Sequence, residues 1–167
     1  RRRGELDGPE EVHVILLDVR SQRVKPVTML GPAQLAWLAT RLAASTASWR
    51  VIVSPVSWNP TAKPGDAWGW ALGEREAILS ILPPQTVFAS ADLHCGGAID
   101  VRDGVPELCI PHTNLLTGDS GTVGTWSHGY VSGVGNPGYG LVVATATSLT
   151  LSAHAPDGTV RLTLTVP

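Results

Sequence analysis

The sequence predicts an α/β chain with an antiparallel, β-rich C-terminal part. Three observations predict it. Apolar runs bounded by turn residues alternate with segments of helical periodicity over the first ninety residues. A strong hairpin signal, Asp103-Gly104, then breaks that alternation. Last, Leu149, Leu151 and Ala153, like Val160, Leu162, Leu164 and Val166, alternate with polar neighbours, so those strands have one face in and one out. The length of 167 residues suits a single domain, or part of one, over residues 1–167. Hydrophobic residues at 43% and charged residues at 16% exclude a disordered chain.

Taken in order, Arg1-Arg2-Arg3 reads as a solvated end rather than a nucleic-acid arm. Val12 to Val19 is nearly all apolar and predicts a strand buried on both faces of a central sheet. Its end, Asp18 to Arg23, is polar. Such residues either face a site or form an Asp18–Arg20 or Asp18–Arg23 ion pair that pins the turn, and the ion pair is the simpler reading. Pro32 opens a helix whose Leu35, Leu38 and Leu42 share one face, with Trp37 beside it. Trp49 to Val56 is a second strand.

Ser57 to Trp70 is a loop by its Pro and Gly content, yet it carries Trp58, Trp68 and Trp70 as well as Asp66. A loop this aromatic either folds onto the core or shapes a pocket. A second helix, Ala71 to Leu82, ends at Pro83-Pro84. The strand Thr86 to Ala89 then leads into Ser90-Ala91-Asp92-Leu93-His94-Cys95-Gly96-Gly97. Asp92 and His94 thus stand where a strand ends and a Gly-rich loop begins, the place where open α/β sheets bind ligands. A carboxylate and an imidazole suit divalent metals, although an Asp-x-His pair alone is a weak motif.

The other histidines divide by context. His13 alternates within a strand and reads as packed or at an edge, and His154 reads as exposed on a terminal strand. His112 and His128 bracket the long polar stretch 111–138, and His128 could fold toward the site. Cys95 and Cys109 can form one bridge or remain thiols, and Cys95 reads as a small buried residue before a soft ligand. A net charge of −2 gives no field for nucleic acid, and no apolar run is long enough to span a membrane.

Several stretches, in order, resemble a known family. Leu17-Asp18-Val19-Arg20-Ser21-Gln22-Arg23 is similar to a Leu-Asp-Thr-Arg-Ser-x-Arg strand end. Leu30-Gly31 through Gln34, Trp37 and Leu38 matches a Leu-Gly-x-x-Gln-x-x-Trp-Leu helix start. Asp66-Ala67-Trp68-Gly69-Trp70 with Glu74-Arg75 resembles an Asp-x-Trp-Asp-Gly-aromatic loop followed by Glu-Arg, and Ser90 to His94 resembles Ser-Gly-Asp-Val-His. Pro106-Glu107-Leu108 and Gly138-Tyr139-Gly140 also fit. Together these resemble the C-terminal half of the alkaline phosphatase D family, a branch of the calcineurin-like metallophosphoesterases.

The resemblance implies the C-terminal half of an α/β/β/α sandwich that hydrolyses phosphate mono- or diesters. It implies divalent metal ions, calcium, iron, zinc or manganese, in a dinuclear centre, with Asp92 and His94 as the ligands this chain supplies. Asp66, Trp68, Trp70 and His128 would border the substrate. The implied partners are a small phosphate ester and the N-terminal half, which carries the other ligands in Gly-Asp and Asp-Asp-His-type motifs. The implied location is secreted or periplasmic, although this sequence shows no signal peptide. A catalytically inactive fragment or binding module of the same fold is the alternative. Two departures stand out: Ala91 replaces the motif glycine, and no acid separates Trp68 from Gly69.

Overall fold

The computed structural model describes residues 12–102, 104–110, 124–127, 129–131 and 137–167. The strands are β1 (Val12–Leu16), β2 (Trp49–Ser54), β3 (Thr86–Ser90), β4 (Gly96–Arg102), β5 (Val105–Cys109), β6 (Tyr130–Val131), β7 (Tyr139–Ala144), β8 (Leu149–His154) and β9 (Val160–Val166). The helices are α1 (Gly31–Ala43) and α2 (Leu72–Ser80), with a 3₁₀ turn at Trp68–Trp70. Six strands form a mixed sheet in the order β1-β2-β3-β5-β4-β6, and β7-β8-β9 form an antiparallel sheet. β1, β2, β3 and β5 run parallel, with α1 and α2 in the crossovers that parallel strands require. β4 and β5 form the expected hairpin.

Three layers result. On one face of the large sheet, Ile15, Ile52 and Phe88 pack against Leu38 and Leu42 of α1 and Ile78 and Leu79 of α2. On the other face, Trp49, Val51, Val87 and Leu108 meet Leu149, Leu151, Ala153 and Leu162 of the small sheet. The Trp49 indole N–H donates to the Thr145 carbonyl at 2.9 Å and ties the sheets together. This is an α/β fold with an antiparallel addition, as the patterning predicts.

The expectation that the first strand is buried on both faces is wrong. β1 is the edge of the large sheet; Ile15 is buried, but Val14 is 52% and Leu16 69% exposed. The physical reason is coverage: the small sheet meets β4, β5 and β6 through β8 and β9, Val12 packs at the margin of that cluster, and Val14 and Leu16 beyond it are left uncovered. A bulge between Ala153 and His154 pairs His154 with Val160 and turns Val160 outward, so the alternation expected of β9 begins only at Leu162. His154 is not exposed either. It is half-buried, stacks on Tyr139 at 5.1 Å and bonds Ser152 and the Gly158 carbonyl.

The Thr28 hydroxyl oxygen accepts the N–H of Gly31, the first residue of α1, at 2.7 Å, and the side chain of Leu30 provides no cap. Glu74, from α2, accepts the Met29 N–H at 2.5 Å and the Leu30 N–H at 3.3 Å. A carboxylate at a helix N-terminus meets orphan N–H groups and the positive end of the helix dipole. α1 and α2 are thereby fixed to one another before either contributes to a site.

Candidate functional site

Three consecutive parallel strands end on one side of the molecule, and each feeds a loop with charged residues. After β1 come Asp18, Arg20, Arg23 and Lys25; after β2 come Lys63 and Asp66; after β3 come Asp92 and His94. The Asp18 side chain forms neither expected ion pair. Its Oδ1 accepts the backbone N–H of Arg20 at 3.0 Å and of Ser21 at 2.9 Å, and the Ser21 hydroxyl together with these backbone bonds holds its carboxyl below the usual range. Both arginines are thereby released toward the other two loops.

Arg20 and Lys63 bridge the two carboxylates of the site. Arg20 reaches Asp66 at 3.2 Å and Asp92 at 3.0 Å. Lys63 reaches Asp66 at 3.1 Å and Asp92 at 2.5 Å. Arg23 pairs with Asp66 at 2.5 Å, and Lys25 stands 3.9 Å from the same carboxylate while donating to the Gly65 carbonyl. Partial burial alone would raise the Asp66 pKa, but Arg23, Lys63 and Arg20 outweigh it and hold the carboxyl far below its ordinary range. Burial likewise disfavours the Lys63 ammonium, and Asp92 and Asp66 outweigh it, so its pKa is raised.

The backbone around these residues is unusual. Lys63 (φ 39°), Asp92 (φ 78°) and His94 (φ 56°) all occupy the left-handed region, and Gln85 is the other described non-glycine residue there. Such conformations cost about 1–3 kcal/mol each and gather at functional loops. Asp tolerates this region through local hydrogen bonding. Ala91 has no positive φ, so losing the motif glycine there leaves the turn intact; the strain lies one and three residues later.

Buried groups hold the loops beneath the charges. Glu107, on β5, is fully buried. Its Oε1 accepts from the Ser57 hydroxyl at 3.0 Å, the Trp58 N–H at 2.9 Å and the Ser90 hydroxyl. One carboxyl therefore joins the β2 loop to the last residue of β3, two positions before Asp92. Burial pushes the Glu107 pKa up despite these donors. Both cysteines are buried thiols outside any disulfide, and Cys109 Sγ lies 3.9 Å from the Ala91 carbonyl and 3.8 Å from that of Cys95. Burial raises the Cys109 thiol pKa well above its ordinary value.

The aromatic loop folds onto the core. Trp58 and Trp68 are fully buried and stack at 4.1 Å, and Trp58 stacks on Phe88 at the same distance. Trp68 therefore offers no surface to a substrate, contrary to its expected place at a pocket. Trp70 is partly buried, with the Lys25 ammonium 5.8 Å from its ring centre. Arg20 and Lys63 bring Asp66 and Asp92 together. His94 follows on the Asp92 loop, half-buried. His128, His112 and Arg1-Arg2-Arg3 lie outside the described residues. Beside the Asp92 loop is an apolar cavity of about 290 Å³, lined by Leu16, Leu17, Val53, Ala91 and Ile110 among others.

Sequence reasoning missed Lys63, Lys25 and Glu107. Lys63 had a signal, since it sits between Pro60 and Gly65 in a loop already singled out. Glu107 had one too, as the lone carboxylate of a short apolar strand.

A profile of the PhoD-like phosphatases matches residues 11–123, about two thirds of the chain. The chain belongs to the PhoD-like phosphatase family. Among solved structures, one described as "Structure of PhoD" superposes with a TM-score of 0.64 at 16% identity over 92% of this chain and 40% of that one. GAP50, described as the anchor in the inner membrane complex of Plasmodium, superposes with a TM-score of 0.67 at 12% identity over 92% of this chain and 48% of its own. At these identities the likeness is one of fold. The PhoD-like chain spans less than half the length of either structure. No curated protein sequence matches it significantly.

Asp92 and His94 fit a divalent ion in kind but not in number. Catalytic metal sites take about three protein ligands, and among the described residues no three His, Cys, Asp or Glu come together. Both Asp92 oxygens are also held by cations.

Proposed function

We propose that this PhoD-like chain supplies part of the active site of a metal-dependent phosphoric ester hydrolase acting on small mono- or diesters. The reading is carried by one observation: the Asp92–His94 loop leaves the carboxyl end of a parallel strand beside two other charged strand ends, in a chain of a phosphatase family. Asp92 and His94 would be this chain's ligands to a dinuclear divalent centre. Such ions, when bound, supply Lewis acidity at the phosphoryl oxygens and a nucleophilic water near neutral pH. The chain's own residues orient and attract. Glu107 and Cys109 fix the loop, and Arg20 and Lys63 place positive charge where the phosphoryl group arrives.

The remaining ligands belong, on this reading, to a further portion of the protein that packs against the open β1 edge. Val14, Leu16 and the apolar cavity there supply the surface such packing needs. A secreted or periplasmic location is part of the same proposal.

A non-catalytic module of the same fold is the second reading. It is favoured by the cations seated on both Asp92 oxygens and by the similarity to a protein described as an anchor. Hydrolysis of an aryl phosphate by the protein that carries this sequence separates the two, assayed with calcium, manganese, zinc or iron and with chelator. Metal-stimulated turnover abolished by chelator supports the phosphatase. Its absence with every metal supports the module.

A further inference from the structure

Asp66 and Asp92 do not balance the cations around them. Arg20, Arg23, Lys25 and Lys63 all stand within 4 Å of one or both carboxylates. Two guanidinium and two ammonium groups carry about sixteen N–H donors, against about eight lone-pair positions on two carboxylates. The neighbouring acids do not close the gap. Asp18 is turned onto its own backbone, and Glu74 onto the start of α1. The excess is also accessible: the Arg20 side chain is 39% exposed and that of Lys25 48%.

We propose that Arg20, Arg23, Lys25 and Lys63 form a metal-independent binding site for a phosphate-sized dianion, phosphate or sulfate, at the carboxyl ends of β1 and β2. A network of matched ion pairs would carry no net charge. This one keeps a net positive charge, with Asp66 and Asp92 acting as the frame that holds the cations at fixed spacing. Planar guanidinium groups suit bidentate contact with tetrahedral oxyanions. Arg23 and Lys63, whose side chains are 22% and 27% exposed, hold the inner side of the site, where solvent screening is weaker than at Arg20 and Lys25.

The inference deepens the phosphoesterase reading, on which it rests only for the choice of phosphate as ligand. Its test excludes metal, so either can fail alone. Inorganic phosphate is titrated into the protein that carries this sequence with chelator present, at about 0.02 M and about 0.3 M salt, and followed by calorimetry. Binding at low salt, weakened at high salt and displaced by sulfate, is expected. Arg20→Ala and Lys25→Ala should each weaken it about tenfold, the loss of a charge-assisted contact. Arg161→Ala, whose side chain bonds the Pro137 carbonyl elsewhere, should leave it unchanged. Thermal melts check that each variant folds, and Lys25→Ala removes an exposed side chain in case Arg20→Ala does not. No phosphate binding under chelation, or equal binding in Lys25→Ala and wild type, overturns the proposal. Metal-dependent hydrolysis without phosphate binding under chelation would refute this site and leave the phosphatase reading standing.

Discussion

Glu107 is the residue on which the most separate parts depend. Its Oε1 takes three donors from two loops, while Oε2 meets no partner among the described residues. Removing the carboxyl leaves buried donors unpaired, each at about 1–3 kcal/mol. Glu107→Ala is therefore expected to lower unfolding free energy by about 3 kcal/mol or more, and Glu107→Gln, which keeps a carbonyl oxygen for those donors, by much less. Denaturant titration checks both. The sign of the pH effect follows from burial. The folded pKa lies above the unfolded one, so the native state holds the proton longer. Stability is then greatest below the unfolded value and declines as pH rises through the folded one. Melts across the acid to neutral range should show that decline in wild type and not in Glu107→Gln. Asp66 acts in the opposite sense. Its depressed pKa gives stability present above the ordinary carboxylate range and lost on acidification, and Asp66→Asn should shrink the acid limb of the curve.

Among the elements, the loop between β2 and α2 is held by shape as much as by charge. A Cβ on Gly69 would lie 2.2 Å from the Pro60 carbonyl oxygen, so the chain crosses itself there with no room for a side chain. Gly69→Ala is expected to cost about 2 kcal/mol or more by forcing that crossing apart, read as a lower melting temperature. Gly73→Ala, on α2 with open space around it, should stabilise by up to about 1 kcal/mol. The elements themselves were legible in the sequence. Pro32, Pro83-Pro84 and Asp103-Gly104 mark boundaries through backbone chemistry, and the structure follows them within a few residues. The site was half legible. Asp66, Asp92 and His94 could be found because motifs surround them. Which cation meets which carboxylate could not, because Asp18 is nearest to Arg20 in sequence yet spends its oxygen on the turn. Long-range pairing is decided by how β1, β2 and β3 align, and local spacing does not encode it.

At the scale of the molecule, three layers rest on two apolar interfaces, and Val14 and Leu16 on the edge strand β1 are left uncovered by the second. The nearly all-apolar run Val12–Val19 pointed to a strand buried on both faces, and β1 is buried on one. If a further portion of the protein covers that edge, Leu16→Asp should leave the 167-residue chain within about 0.5 kcal/mol of wild type, yet lower the stability of the longer protein; paired denaturation curves decide it. The central claim is that the Asp92–His94 loop works on phosphate esters with metal. Its most direct test is kcat/KM for an aryl phosphate, measured with divalent metal on the protein carrying this sequence and on its His94→Ala and His154→Ala variants. The expected result is a loss of about 100-fold or more in His94→Ala, since even outer partners of metal ligands are worth 10–100-fold, with His154→Ala close to wild type. Metal-stimulated activity that survives His94→Ala unchanged would contradict the claim.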